Sequence, residues 1–159
     1  MDADFAGLYN FEDGQYPMCV KSRTGYVIRL GGCPLVWVSK LQREISLSTL
    51  EAEYIALSTA MRDLLPMKDL LKEVITKMSL KDNSNTIMKS TVFEDNNGAL
   101  QLALSPKLTP RTKHIAVKYH FFKSKVGEGQ DIDNKRVDSA ENIADIFTKG
   151  VQGERYSHL

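Results

Sequence analysis

Four stretches of the chain carry an acidic side chain at or near the junction of a regular element: Asp2 and Asp4, Glu51 and Glu53, Glu94 and Asp95, and Asp145. Taken singly, such acids serve as helix caps or solvated surface charge. Gathered at one point they would repel one another and could hold a hard cation through oxygen alone. Other chemistries have little support. Cys19 and Cys33 lack the partner spacing of a zinc site and make a poor disulfide framework, which points to a reducing compartment. His114 and His120 stand six residues apart, which puts them on different faces of a helix and argues against a metal pair.

The cations are distributed differently. From Asn96 through Gly127 there is no Asp or Glu, while Lys107, Arg111, Lys113, Lys118, Lys123 and Lys125 all fall there. With 21 basic and 20 acidic residues over 159 positions, the net charge is only +1, so this is a local basic patch in a neutral chain.

Elements must position these residues. Two apolar runs, Tyr26–Leu30 and Pro34–Val38, flank Gly31-Gly32 and predict a hairpin with Trp37 as a core anchor. Ser48-Thr49-Leu50-Glu51 has capping-box spacing, so a helix begins near Thr49. Its stripe is Leu50, Tyr54, Leu57, Met61 and Leu64, and Pro66 should bend or end it before a second helical piece running to about Lys77. Thr91-Val92-Phe93 reads as a strand, followed by a short helix with Leu100, Ala103 and Leu104 on one face. A further helix is predicted with Ile115, Tyr119, Phe122 and Val126 inward and Arg111, His114, Lys118 and Lys125 on another face. A strand from Ile132 to Val137 leads to a closing helix, capped by Asp138 or Ser139, with Ile143, Ile146 and Phe147 inward. Strands and helices so mixed predict an α/β fold. The length suits one domain over 1–150 with a tail over 151–159. No secretory leader and no apolar run long enough to cross a membrane is evident, so no membrane partner is expected.

The words around the acids are more specific than the acids. Asp2-Ala3-Asp4-Phe5-Ala6-Gly7, Ser22-Arg23-Thr24-Gly25-Tyr26, Leu47-Ser48-Thr49-Leu50-Glu51-Ala52-Glu53-Tyr54, Asp95-Asn96, Arg111-Thr112-Lys113-His114-Ile115 and Ala144-Asp145-Ile146-Phe147-Thr148-Lys149 resemble, in order, the motifs of the ribonuclease H domain of copia-type LTR retrotransposon Pol polyproteins. The resemblance implies a ribonuclease H-like mixed five-stranded sheet with flanking helices, here with its first strand largely truncated. It implies four metal-binding catalytic carboxylates, Asp2, Glu53, Asp95 and Asp145, holding two Mg²⁺ ions, with Mn²⁺ as a substitute. The reaction is hydrolysis of the RNA strand of an RNA–DNA hybrid by water during reverse transcription. The implied partners are the hybrid and the reverse transcriptase of the same polyprotein, in the cytoplasm (a virus-like particle) or the nucleus. The alternative is an inactive, truncated remnant with at most non-specific nucleic-acid binding.

Neighbouring acids are separated by local arguments. On a helical wheel Glu53 lies roughly 60° from the centre of the apolar stripe and Glu51 roughly 100°. Glu53 is therefore assigned to metal and Glu51 to the cap. Asp95 follows a strand and can sit at its C-terminal end, with Glu94 on the other face. The resemblance favours Asp2, with Asp4 in reserve. Asp145 lies nearly opposite the inward stripe of its helix, so only the motif recommends it. Beside these motifs, Arg111, Lys113, His114, Lys118 and Lys125 are read as phosphate contacts, which give affinity without sequence choice.

Overall fold

The computed structural model describes residues 1–9, 15–16, 18–78, 88–105, 115, 117–127, 130–151 and 153–158. Among the described residues the elements are β1 (Asp2–Asp4), β2 (Arg23–Leu30), β3 (Cys33–Leu41), α1 (Thr49–Lys77), β4 (Ser90–Glu94), α2 (Asn97–Leu104), β5 (Ile132–Arg136) and α3 (Glu154–His158), with short 3₁₀ turns between them. The architecture is mixed α/β. No helix among the described residues is long and apolar enough to cross a membrane.

The hairpin forms where the sequence predicts it. Gly31 and Gly32 both take positive φ, 57° and 88°, a conformation that glycine adopts without steric cost and that matches the twist of paired strands. Val36 and Val38 pack toward the core, and strand alternation therefore turns Trp37 outward, where it is 63% exposed instead of anchoring the core.

The strands fall into two groups where the sequence predicts one five-stranded sheet. β1, β2 and β3 make an antiparallel sheet in that order, and β4 pairs in parallel with β5. The three residues of β1 pair with β2, Asp2 opposite Gly25, and toward β4 the Met1 amino group donates to Phe93 O at 2.9 Å. β2 continues past that point through Leu30, so a groove opens between β2 and β4, lined by Ile28, Leu35, Leu64, Met67 and Val92 among others.

Helix α1 is continuous through Pro66, so of the bend or end expected there the helix does not end. Pro66 is exposed, so the carbonyl it cannot serve one turn earlier lies toward water, and the buried stripe before it carries the helix on. Tyr54, Leu57 and Met61 are fully buried, with Leu50 and Leu64 packed at the margin of the core. Ile115, Tyr119, Phe122 and Val126 are all buried as predicted, yet the helix expected to carry them is two 3₁₀ turns, Val117–Tyr119 and Lys123–Lys125. In α2 the inward face is Ala99, Leu100, Leu102 and Ala103, and Leu104 is exposed at the C-terminal end. The closing helix is also shorter than predicted. Asp138 caps a 3₁₀ turn at Ser139–Glu141, and Asn142 caps another at Ile143–Phe147. A tight turn does not present the faces of an α-helix, and the side chains it buries are Ala144 and Asp145.

Candidate metal centre

Each acid reaches the site by a separate local device. At the start of α1, Ser48 Oγ accepts from Glu51 N at 3.2 Å, and the Glu51 carboxylate accepts from Leu47 N at 2.8 Å, one residue before the cap position it was expected to serve. The loop ahead of the helix is fixed by buried Gln42, whose amide donates to Thr24 Oγ1 at 3.1 Å and to Ala52 O at 2.8 Å. This anchors the first turn of α1 to β2 and sends Glu53 toward the sheet. Asp95 follows β4 directly, and Asn96 then caps α2 by accepting from Gly98 N and Ala99 N. A side-chain carbon at Gly98 would come within 2.7 Å of Leu50 Cδ1, so glycine allows α2 to seat against the start of α1.

Asp145 is brought in by close backbone approach. A carbon added at Gly25 would meet Thr148 Cγ2 at 2.6 Å and Phe147 Cβ at 2.9 Å, so the 3₁₀ turn carrying Asp145 lies directly on β2 at the position paired with Asp2. Asn142 strengthens the junction by donating to Met1 O at 3.0 Å. Asp145 is fully buried, contrary to the outward position that a helical wheel assigns it.

Carboxylate oxygens of Asp2, Glu53 and Asp95 all lie within 4.8 Å of one another. Asp145 adjoins this group through Lys149, whose Nζ is 3.5 Å from Asp2 Oδ1 and 3.3 Å from Asp145 Oδ1. Asp2 Oδ2 accepts a hydrogen bond from the Thr148 hydroxyl. Asp4, half-buried, stands outside the group.

Glu94 is the acid that sequence reasoning sent to the wrong side. It is fully buried, accepts from Asn96 N at 3.0 Å, and its charge acts on Glu53. Strand alternation puts it on the face of Val92, which packs on the core, and that was a usable signal. Thr148 and Lys149 were also passed over, although Asp145 and Lys149 have the i,i+4 spacing of a helical ion pair.

Like charges in so small a volume resist ionisation. Burial, then the charges of Glu94, Asp2 and Asp95, push Glu53 up to about 10. Burial raises Glu94 to about 8 against the opposing bond from Asn96 N. Asp2 rises to about 6, driven by burial and opposed by Thr148 and Lys149. Burial alone would lower Lys149, but Asp2 and Asp145 hold it above its ordinary value. Among the described residues, the buried oxygens Glu53 Oε2 and Glu94 Oε2 have no hydrogen-bond partner. An all-oxygen donor set with orphaned buried atoms and suppressed ionisation fits a hard divalent cation.

The predicted phosphate contacts do not assemble in the same way. Lys118 pairs with Glu44 and lies 5.0 Å over the Tyr119 ring, so it does not stand on a free basic helix face with Lys125. Arg111, Lys113 and His114 lie outside the described residues. His120 is half-buried, with its Nδ1 2.8 Å from Tyr54 Oη.

No family model matches the chain. No solved structure matches it. Among curated proteins it is 32% identical over 155 residues to the retrovirus-related Pol polyprotein from transposon TNT 1-94 of Nicotiana tabacum, covering 98% of this chain and 10% of that one. Two polyproteins of the same description from Arabidopsis thaliana transposons are similar over 148 residues, RE2 at 32% and RE1 at 30% identity, each over 93% of this chain and 9% of the relative. The chain thus spans about a tenth of the length of these relatives.

Proposed function

We propose that this chain, homologous over most of its length to retrovirus-related Pol polyproteins of plant transposons, is the ribonuclease H-like domain of such a polyprotein, with residues 1–150 as the domain and 151–159 as a tail. The substrate is the RNA strand of an RNA–DNA hybrid, and the neighbouring partner is the reverse transcriptase of the same polyprotein. The setting is the cytoplasm, in a virus-like particle, or the nucleus. The observation that carries the reading is the convergence of Asp2, Glu53 and Asp95 from β1, α1 and the end of β4, within 4.8 Å, with Asp145 alongside.

Asp2, Glu53, Asp95 and Asp145 would hold two Mg²⁺ ions, with Mn²⁺ able to substitute, and Glu94 lies close enough for its charge to act on the same group. Bound there, the ions would supply Lewis-acid stabilisation of charge on a scissile phosphate and a water activated for attack. The chain's own residues do the rest. The Thr148 hydroxyl orients Asp2 by holding Oδ2, and the 3₁₀ turn on β2 holds Asp145 against it. Recognition of a hybrid would rest on its shape and the 2′-hydroxyl of the RNA strand. The test is cleavage of an end-labelled RNA–DNA hybrid in Mg²⁺, with single-stranded RNA and duplex DNA as controls. Hybrid-specific RNA cleavage that disappears with EDTA supports the reading. Binding of hybrid without cleavage in Mg²⁺ or Mn²⁺ would instead favour an inactive remnant.

A further inference from the structure

The carboxylates face a cation that the chain itself supplies. Lys149 extends from the solvent edge, 42% exposed, into the space between Asp2 and Asp145, both fully buried. Its contacts, 3.5 and 3.3 Å, are those of a loose ion pair that closes on neither partner. Asp2 Oδ2 is already engaged by Thr148, so Oδ1 is the oxygen turned to the ammonium. The neighbouring Glu53 is 7% exposed and its Oε2 has no hydrogen-bond partner among the described residues, so the ammonium of Lys149 leaves that buried oxygen unserved.

We propose that the Lys149 ammonium is a built-in counter-cation between Asp2 and Asp145, which a divalent ion bound by that pair must displace. The inference deepens the metal-centre reading and rests on it. Magnesium binds carboxylate oxygen at about 2.0–2.1 Å, far inside the contacts the ammonium makes. An ammonium and a divalent ion on the same two oxygens would repel strongly in a poorly solvated site. Lysine has the means to leave, because its flexible stem can swing the charged head back into water. Asp2, Glu53 and Asp95 can therefore accept an ion with Lys149 in place, whereas an ion that needs Asp145 competes with it. Lys149 acts as a positioning residue that sets the affinity and order of the two ions, and it offsets part of the repulsion when they are absent.

Mn²⁺ is a suitable probe because the free ion can be counted by electron paramagnetic resonance. Removing the lysine in Lys149→Met should tighten the weaker Mn²⁺ by about tenfold, a modest share of one charge's Coulomb energy at this range. A lysine that only supported the fold would weaken Mn²⁺ binding when removed. In the unsubstituted protein, Lys149 should react with acetic anhydride several-fold faster once Mn²⁺ saturates, as mass spectrometry of its peptide would read. Unchanged Mn²⁺ affinity in Lys149→Met, or acetylation of Lys149 indifferent to bound Mn²⁺, overturns the displacement while leaving the carboxylate centre standing. Absence of Mn²⁺ binding in both proteins would remove the centre itself, and the displacement with it. The labelling arm needs no variant, so it decides the matter even if Lys149→Met fails to fold.

Discussion

The acidic cluster and the basic stretch are opposites in sequence and in space. The acids are scattered along the chain, on β1, α1, the end of β4 and the last 3₁₀ turn, and they meet in a volume where burial and neighbouring charge raise Asp2, Glu53 and Glu94. The cations between Asn96 and Gly127 are crowded in sequence, yet those described disperse to separate neighbours. Lys118 takes Glu44, and Lys123 donates to Ser105 O at 3.0 Å. Burying like charges is costly and persists only where the surrounding fold enforces it, whereas exposed cations settle on whatever acceptor is nearby. The buried group is therefore the stronger mark of function.

Several substitutions and conditions would break or sharpen this contrast. The largest effect is expected from Asp95→Asn, which keeps the shape of the centre but removes one charged ligand. Hybrid cleavage should fall by on the order of 10³-fold, equivalent to losing several kcal/mol of metal-dependent stabilisation, with the far-ultraviolet dichroism unchanged. Cleavage at the parental rate would separate the acidic cluster from catalysis.

A stability profile against pH should follow in size. A carboxyl raised above its unfolded value contributes stability that is complete below the unfolded pKa and lost as pH rises through the folded one. For Asp2 at about 6, Glu94 at about 8 and Glu53 at about 10, the loss extends from near pH 4 to near pH 10. Metal-free protein should therefore melt at least ~5 °C lower at pH 9 than at pH 5.5. Saturating Mg²⁺ should flatten the slope by favouring the ionised carboxylates. A melting temperature rising over this interval without metal would contradict the crowded-acid electrostatics.

Two neighbouring glutamates divide stability from function. Glu51→Ala removes the bond to Leu47 N at the helix start and should cost about 1 kcal/mol with cleavage largely kept. Glu53→Gln should abolish cleavage while leaving the metal-free protein at least as stable, since it removes a buried acid that resists ionisation. Thermal melts and cleavage rates on the pair decide it, and a swapped result would make Glu51 the ligand.

The smallest effects belong to the cations. If Lys125 or Arg111 touches phosphate, its change to Gln should flatten the slope of log K for a non-cleaved hybrid against log salt by roughly 0.7–0.9 per contact. Lys118→Gln should move the slope less, because that ammonium is already engaged by Glu44. Slopes unchanged from the parent in all three variants would mean that this segment does not track the hybrid at all.

The residues that a local pattern governs were legible in the sequence. Gly31-Gly32 fixed the hairpin turn, Ser48 the start of α1, and the stripe from Leu50 to Leu64 its buried face, from which Glu53 could be told apart from Glu51. The burial of Ile115, Tyr119, Phe122 and Val126 was also legible, but their element was not, because a 3.6-residue period does not distinguish a helix from two tight turns that bury the same side chains. That Pro66 does not end the helix was not legible, since its local preference was overridden by the buried stripe before it.

Tertiary structure alone decided which charges meet. That Asp145 is buried, that Lys149 stands between it and Asp2, and that Glu94 joins the acids follow from the closing turn lying on Gly25 and from β1 reaching β4 at Phe93. Periodicity in a sequence reports which way a side chain faces within its own element. The field that a charge experiences is instead set by burial and by groups distant in the chain, and these exist only after the elements have closed on one another.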